Sequence, residues 1–71
     1  MKYVITEYKN FAIFSKTTNH SEIGIELFGK PISAGFCHFE NGKIKCYGES
    51  ISLGLKSREE DSDIINEKFN L

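Results

Sequence analysis

Phe36-Cys37-His38-Phe39-Glu40-Asn41-Gly42-Lys43-Ile44-Lys45-Cys46-Tyr47 sets a two-residue Asn-Gly loop between two runs of strand-forming residues, and how this stretch is read decides the fold. Asn and Gly both tolerate the positive φ that a type I′ turn demands, and that turn matches the twist of the strands it joins. It also sets a register. Glu40 faces Lys43, Phe39 faces Ile44, Cys37 faces Cys46, Phe36 faces Tyr47 and Gly35 faces Gly48. The two runs extend from Ile32 to Glu40 and from Lys43 to Leu55. Near the turn the apolar residues Cys37, Phe39, Ile44 and Cys46 share one face. Beyond the two glycines, Ile32, Ala34, Ile51, Leu53 and Leu55 have the opposite parity. Glycine inside a strand marks a bulge or a close backbone approach, so a bent or bulged sheet is expected at Gly35 and Gly48.

Working outward, Tyr3-Val4-Ile5-Thr6 and Phe11-Ala12-Ile13-Phe14 flank the polar Lys9-Asn10 and read as a first, shorter hairpin. Asn19 and Glu22 have the spacing of an N-cap and its reciprocal carboxylate, which starts a helix at His20. Ile23, Leu27 and Phe28 form its apolar face, and Gly29 and Pro31 end it. Ser57-Arg58-Glu59-Glu60 reads as a capping box for a second helix, with Ile64, Ile65 and Phe69 as the buried stripe. The order is β-β-α-β-β-α. The fold class expected is α+β: one small domain over residues 1–71, with a four-stranded antiparallel sheet of two hairpins and two helices packed on one face.

With 71 residues, nine Phe and Tyr side chains and a net charge of −1, the chain has the composition of a globular domain with a small aromatic and aliphatic core. Arg58 is the only arginine, which excludes the basic footprint of a nucleic-acid binder. No stretch approaches the roughly 18 to 20 apolar residues of a membrane helix. Charges every few residues from Met1 to Lys9 do not make a secretion signal, so a cytoplasmic protein is expected. In that compartment Cys37 and Cys46 are expected as reduced, packed thiols, although their facing positions also permit a disulfide. His38 follows Cys37 in a strand and points to the other face, so three metal ligands do not converge. No metal or cofactor is expected, and there is no Walker or dinucleotide glycine pattern.

Two surfaces carry candidate chemistry. His20 stands at a helix start, where the helix dipole disfavours an imidazolium and leaves a ring able to accept a proton; the structural alternative is a histidine that only hydrogen-bonds there. Lys16, Thr17, Thr18 and Asn19 add donors around it, whereas Glu59, Glu60 and Asp61 crowd the start of the second helix with negative charge. Phe36 and Tyr47 pair on the face opposite the cysteines, beside His38, Lys45 and Glu49. Exposed among charges they suit a protein partner, and otherwise they only brace the hairpin. The expected function is a protein-binding or regulatory module acting through this face, with a homodimer through the sheet face or edge as a further option. The small size also fits an inhibitor from a phage or mobile element.

Lys2-Tyr3-Val4, His20-Ser21-Glu22-Ile23 and Lys43-Ile44-Lys45-Cys46-Tyr47-Gly48-Glu49-Ser50, running on to Gly54, occur in the order of three motifs. With them the chain resembles the Janus/Ocnus family, which includes the protein-histidine phosphatases. That family has a Lys-Tyr-Val strand, a His-x-Asp-Ile helix start and a Tyr-Gly-x-Ser segment ending in glycine. The resemblance implies that His20 is the base that activates an attacking water. It implies further that Lys2 and Ser50, with backbone N–H groups near Ser52, hold the phosphoryl group. The pattern differs at Glu22, where the family has Asp, and at Ser33-Ala34-Gly35, which stands for a glycine-rich strand.

Overall fold

The structure, a computed structural model, describes residues 1–20 and 29–70. Strands β1 (Lys2–Thr6), β2 (Phe11–Phe14), β3 (Pro31–Glu40) and β4 (Lys43–Tyr47) form one antiparallel sheet in the order β2-β1-β3-β4. Asn41 and Gly42 both have positive φ, 52° and 79°, as the type I′ turn requires. The register follows from it: Glu40 pairs with Lys43, Phe39 with Ile44, Cys37 with Cys46 and Phe36 with Tyr47. The first hairpin turns through Lys9 at φ 63°, closed by the Lys9 N–H donating to Thr6 O at 2.9 Å.

The expected pairing of Gly35 with Gly48 does not form, and the run from Lys43 to Leu55 is not one strand. Gly48, at φ 76°, turns the chain out of the sheet. Glu49–Ser50 (β5) then pairs with Leu55–Lys56 (β6) in a separate two-stranded ribbon. Ile51 lies in the turn between them and is 90% exposed, so the inverted parity read there is not a buried strand face. The close approach of the two glycines is nevertheless present. A Cβ on Gly35 would lie 2.5 Å from Tyr47 O, and one on Gly48 would lie 2.9 Å from the Phe36 ring.

The helix α1 (Asp61–Phe69) starts later than the Ser57 to Glu60 box implies. Its N-cap, Glu60, makes no side-chain cap bond. Instead Asp61, fully buried, accepts the Arg58 N–H at 2.9 Å, and the Asp61 N–H donates to Arg58 O at 3.1 Å, which shifts the reciprocal pairing by one residue. The Asp61 carboxylate also accepts from Tyr3 Oη, from Ser33 Oγ at 3.0 Å and from Arg58 Nε at 3.0 Å. One buried group thus ties β1, β3 and the helix start together, and both of its oxygens are hydrogen-bonded.

Tyr3, Ile5, Cys37, Ile44 and Ile65 form the buried core between the sheet and α1, with Phe11, Ile13, Cys46 and Ile64 around it. Of the expected stripe, Ile65 is buried. Phe69 is 54% exposed and meets only the edge of Phe11, with ring centroids 5.6 Å apart. Two polar side chains of α1 complete the outer edge of β4. Asn66 Oδ1 accepts the Ile44 N–H at 2.8 Å and Asn66 Nδ2 donates to Ile44 O at 3.0 Å, while Ser62 Oγ accepts the Cys46 N–H at 2.9 Å. A sheet edge is a template for further strands unless it is covered, and here a helix covers it.

These elements overturn the expected α+β arrangement with two helices on one face. Among the described residues there is a single helix, short and C-terminal, and six strands in two sheets, so the fold is mostly β. The helix expected from His20 through Phe28 lies outside the described residues apart from His20 itself. No described helix is long and apolar enough to cross a membrane.

Candidate functional site

On the sheet face opposite α1 the strand alternation places Lys2, Phe14, Phe36 and Tyr47. His20 is set against that face, 3% exposed, with its ring edge-on to Phe14 at 5.4 Å and to Phe36 at 5.9 Å. Its Nε2 lies 2.8 Å from Gly35 O. A carbonyl oxygen only accepts, so Nε2 carries the proton and Nδ1 is left with the lone pair. Gly35 can present its carbonyl here because it has no Cβ to strike Tyr47 O.

Beside His20 is an open hollow of about 680 Å³ lined by Lys2, Phe36, Tyr47, Glu49, Ser50 and Ser52, with Asn19, Gly48 and Ile51 completing it. Each lining group reaches it by a different local device. Lys2 leads β1, and its Nζ donates to Thr18 O at 2.9 Å, which spends one of three ammonium donors and leaves no carboxylate paired with it among the described residues. Gly48 carries the chain off the sheet and so brings β5 over the hollow. The Ser50 hydroxyl, on a buried residue, accepts the Leu53 N–H at 3.3 Å and lies 3.4 Å from Ser52 Oγ. Either hydroxyl can be the donor in that contact. The four residues assigned to phosphate chemistry, Lys2, His20, Ser50 and Ser52, thus border one hollow although they come from separate parts of the chain.

The four residues assigned to partner binding also share this face. Phe36 stacks on Tyr47 at 6.0 Å with the planes 29° apart, and His38 meets the other flank of Tyr47 at 5.3 Å. Tyr47 is 47% exposed. Phe36 and Tyr47 wall the hollow, whereas His38 lies beyond it and faces Glu40 at 3.8 Å. Lys45 borders a second hollow of about 470 Å³, shared with Ser57, Arg58, Glu59 and Ser62. Sequence reasoning placed Glu49 beside the aromatic pair but did not reach the Gly35 carbonyl as part of the site; the parity change at Gly35 and Gly48 was the available signal for it.

The cysteines lie on the other side of the sheet and both are free. Burial pushes the Cys46 thiol up to about 11, against an opposing hydrogen bond with Ser62, and burial also raises Cys37 and the Tyr3 phenol. These are poor nucleophiles at neutral pH, which makes them packing residues rather than reactive ones. Among the described residues no group of three His, Cys, Asp or Glu side chains converges as a metal site.

Comparison of the chain with protein-family models, with curated proteins and with solved structures finds no match.

Proposed function

We propose that this protein hydrolyses a phosphoryl group carried on nitrogen, as its resemblance to the protein-histidine phosphatases implies, with His20 as general base. One observation carries the reading: Lys2, His20, Ser50 and Ser52 border a single hollow. Lys2 Nζ and the Ser50 hydroxyl hold phosphoryl oxygens, together with backbone N–H groups near Ser52. With Nε2–H committed to Gly35 O, Nδ1 is the nitrogen that takes the proton of the attacking water. A cytoplasmic setting suits the two free thiols, Cys37 buried and Cys46 half-buried. The test is phosphate release from a phosphohistidine-containing protein. His20→Ala, folded by circular dichroism, is expected to lose about 10²- to 10⁴-fold in rate, and Lys2→Ala to raise KM. A folded His20→Ala variant with wild-type turnover refutes the assignment.

A second reading, a protein-binding module using the same face, is favoured by the ladder of half-buried Phe36 with exposed Tyr47 and His38. It separates from the first cleanly: Tyr47→Ala abolishes capture of the partner, and His20→Ala leaves it intact.

A further inference from the structure

The hollow holds one feature that a plain phosphate site would avoid. Glu49 lines it together with Lys2 and is exposed, and its carboxylate forms no ion pair among the described residues, although Lys56 stands opposite it in the ribbon. A carboxylate in the same hollow repels a phosphoryl dianion. A ligand with an anionic end and a cationic end satisfies Lys2 and Glu49 at once. The faces of Phe36 and Tyr47, which also line the hollow, favour a flat or compact cation.

Resting on the phosphoryl reading above, we propose that Glu49 is the residue that selects the leaving group, by holding the leaving nitrogen of a bound phosphoramidate in its protonated, cationic form. The step balances without an added reagent. The water oxygen bonds to phosphorus while its proton passes to His20 Nδ1. The P–N bond breaks and its electron pair returns to the nitrogen; an amine departs neutral because that nitrogen entered protonated, and an imidazole because its other ring nitrogen did. An unprotonated nitrogen would have to leave as an anion, which is a far poorer leaving group. A phosphate ester gains nothing from Glu49, since its leaving oxygen is never cationic, and it meets the carboxylate only as repulsion. Among the described residues, the charged or titratable groups lining the hollow are Glu49, Lys2, His20 and Tyr47, with Lys56 opposite Glu49 in the ribbon, and Glu49 is the carboxylate among them.

The experiment measures phosphate release from the phosphoramidate ion and from p-nitrophenyl phosphate across about pH 5 to 9, for the wild-type chain, Glu49→Gln and Glu49→Lys. Because the Glu49 side chain is exposed, both variants are expected to keep the wild-type circular dichroism spectrum. Glu49→Gln is expected to lose roughly three- to tenfold in rate on phosphoramidate, the effect of one carboxylate on one nearby cation. Its alkaline limb moves down by about half a unit to one unit. The ester rate stays level or rises. Glu49→Lys extends both trends and binds inorganic phosphate more tightly. Equal losses on both substrates, or an unmoved alkaline limb, overturn the assignment of Glu49 and leave the phosphoryl reading standing. A wild-type chain that releases phosphate from neither substrate overturns both.

Discussion

Replacing Asp61 with asparagine tests the pin that joins β1, β3 and α1. Oδ1 accepts from Ser33 Oγ and Arg58 Nε, and Oδ2 accepts from Tyr3 Oη and the Arg58 N–H, so whichever oxygen becomes an amide nitrogen meets two donors. A hydroxyl can rotate to accept in one of the two places; the other donor is stranded, and the remaining bonds lose their charge assistance. At about 1.5 to 3 kcal/mol for a charge-assisted bond and about 1 to 3 for a stranded buried donor, the net loss is near 3 kcal/mol. A chain of this size has only about 4 to 10 kcal/mol in total. With a urea slope near 1 kcal/mol per molar, the midpoint of urea unfolding should fall by about 3 M. Asp63→Asn, exposed in the same turn, should stay within about 0.5 kcal/mol. A loss below about 1 kcal/mol for Asp61→Asn would refute the pinning role.

Gly35→Ala places a methyl 2.5 Å from Tyr47 O, backbone that cannot give way cheaply, so about 1 to 3 kcal/mol of stability should be lost. The His20 ring should shift in the NMR spectrum with it, since Gly35 O holds Nε2. Alkaline pH should destabilise the protein through Cys46: its thiol ionises near 9.0 when unfolded but only at about 11 when folded, so the unfolded chain releases its proton first. Stability present below pH 9 is then lost progressively toward pH 11, with the buried Tyr3 phenol acting in the same sense. Urea titrations across that window check it, and Cys46→Ala should flatten the slope. Asn66→Ala strands the Ile44 N–H and C=O of β4 and should cost about 2 kcal/mol in urea unfolding.

The central hairpin was legible because two residues, Asn41 and Gly42, determine its turn type and everything opposite follows by counting. The exit at Gly48 was not legible in the same way. A glycine that bulges a strand and one that ends it look alike in sequence, and only the left-handed φ of Gly48, with β5 pairing away to β6, distinguishes them. The start of α1 was misplaced by one local choice: the pairs Ser57 with Glu60 and Arg58 with Asp61 have the same spacing. The second won because Asp61 also reaches Tyr3 and Ser33, partners far away in sequence. The site divides similarly. Lys2, His20, Ser50 and Ser52 came from a motif resemblance, whereas the Gly35 carbonyl and Glu49 depend on how the chain folds around Gly48 and carry no side-chain signature of their own.

The amide of Asn66 and the hydroxyl of Ser62 also govern how copies of this chain can assemble. Among the described residues, with β4 closed off by α1, the other margin of the four-stranded sheet is β2. If two copies join along that margin, each turns a sealed flank outward and growth terminates at the pair. The same residues would then act as a stop against fibre growth, so unzipping α1 from β4 would convert a finite assembly into an open-ended one.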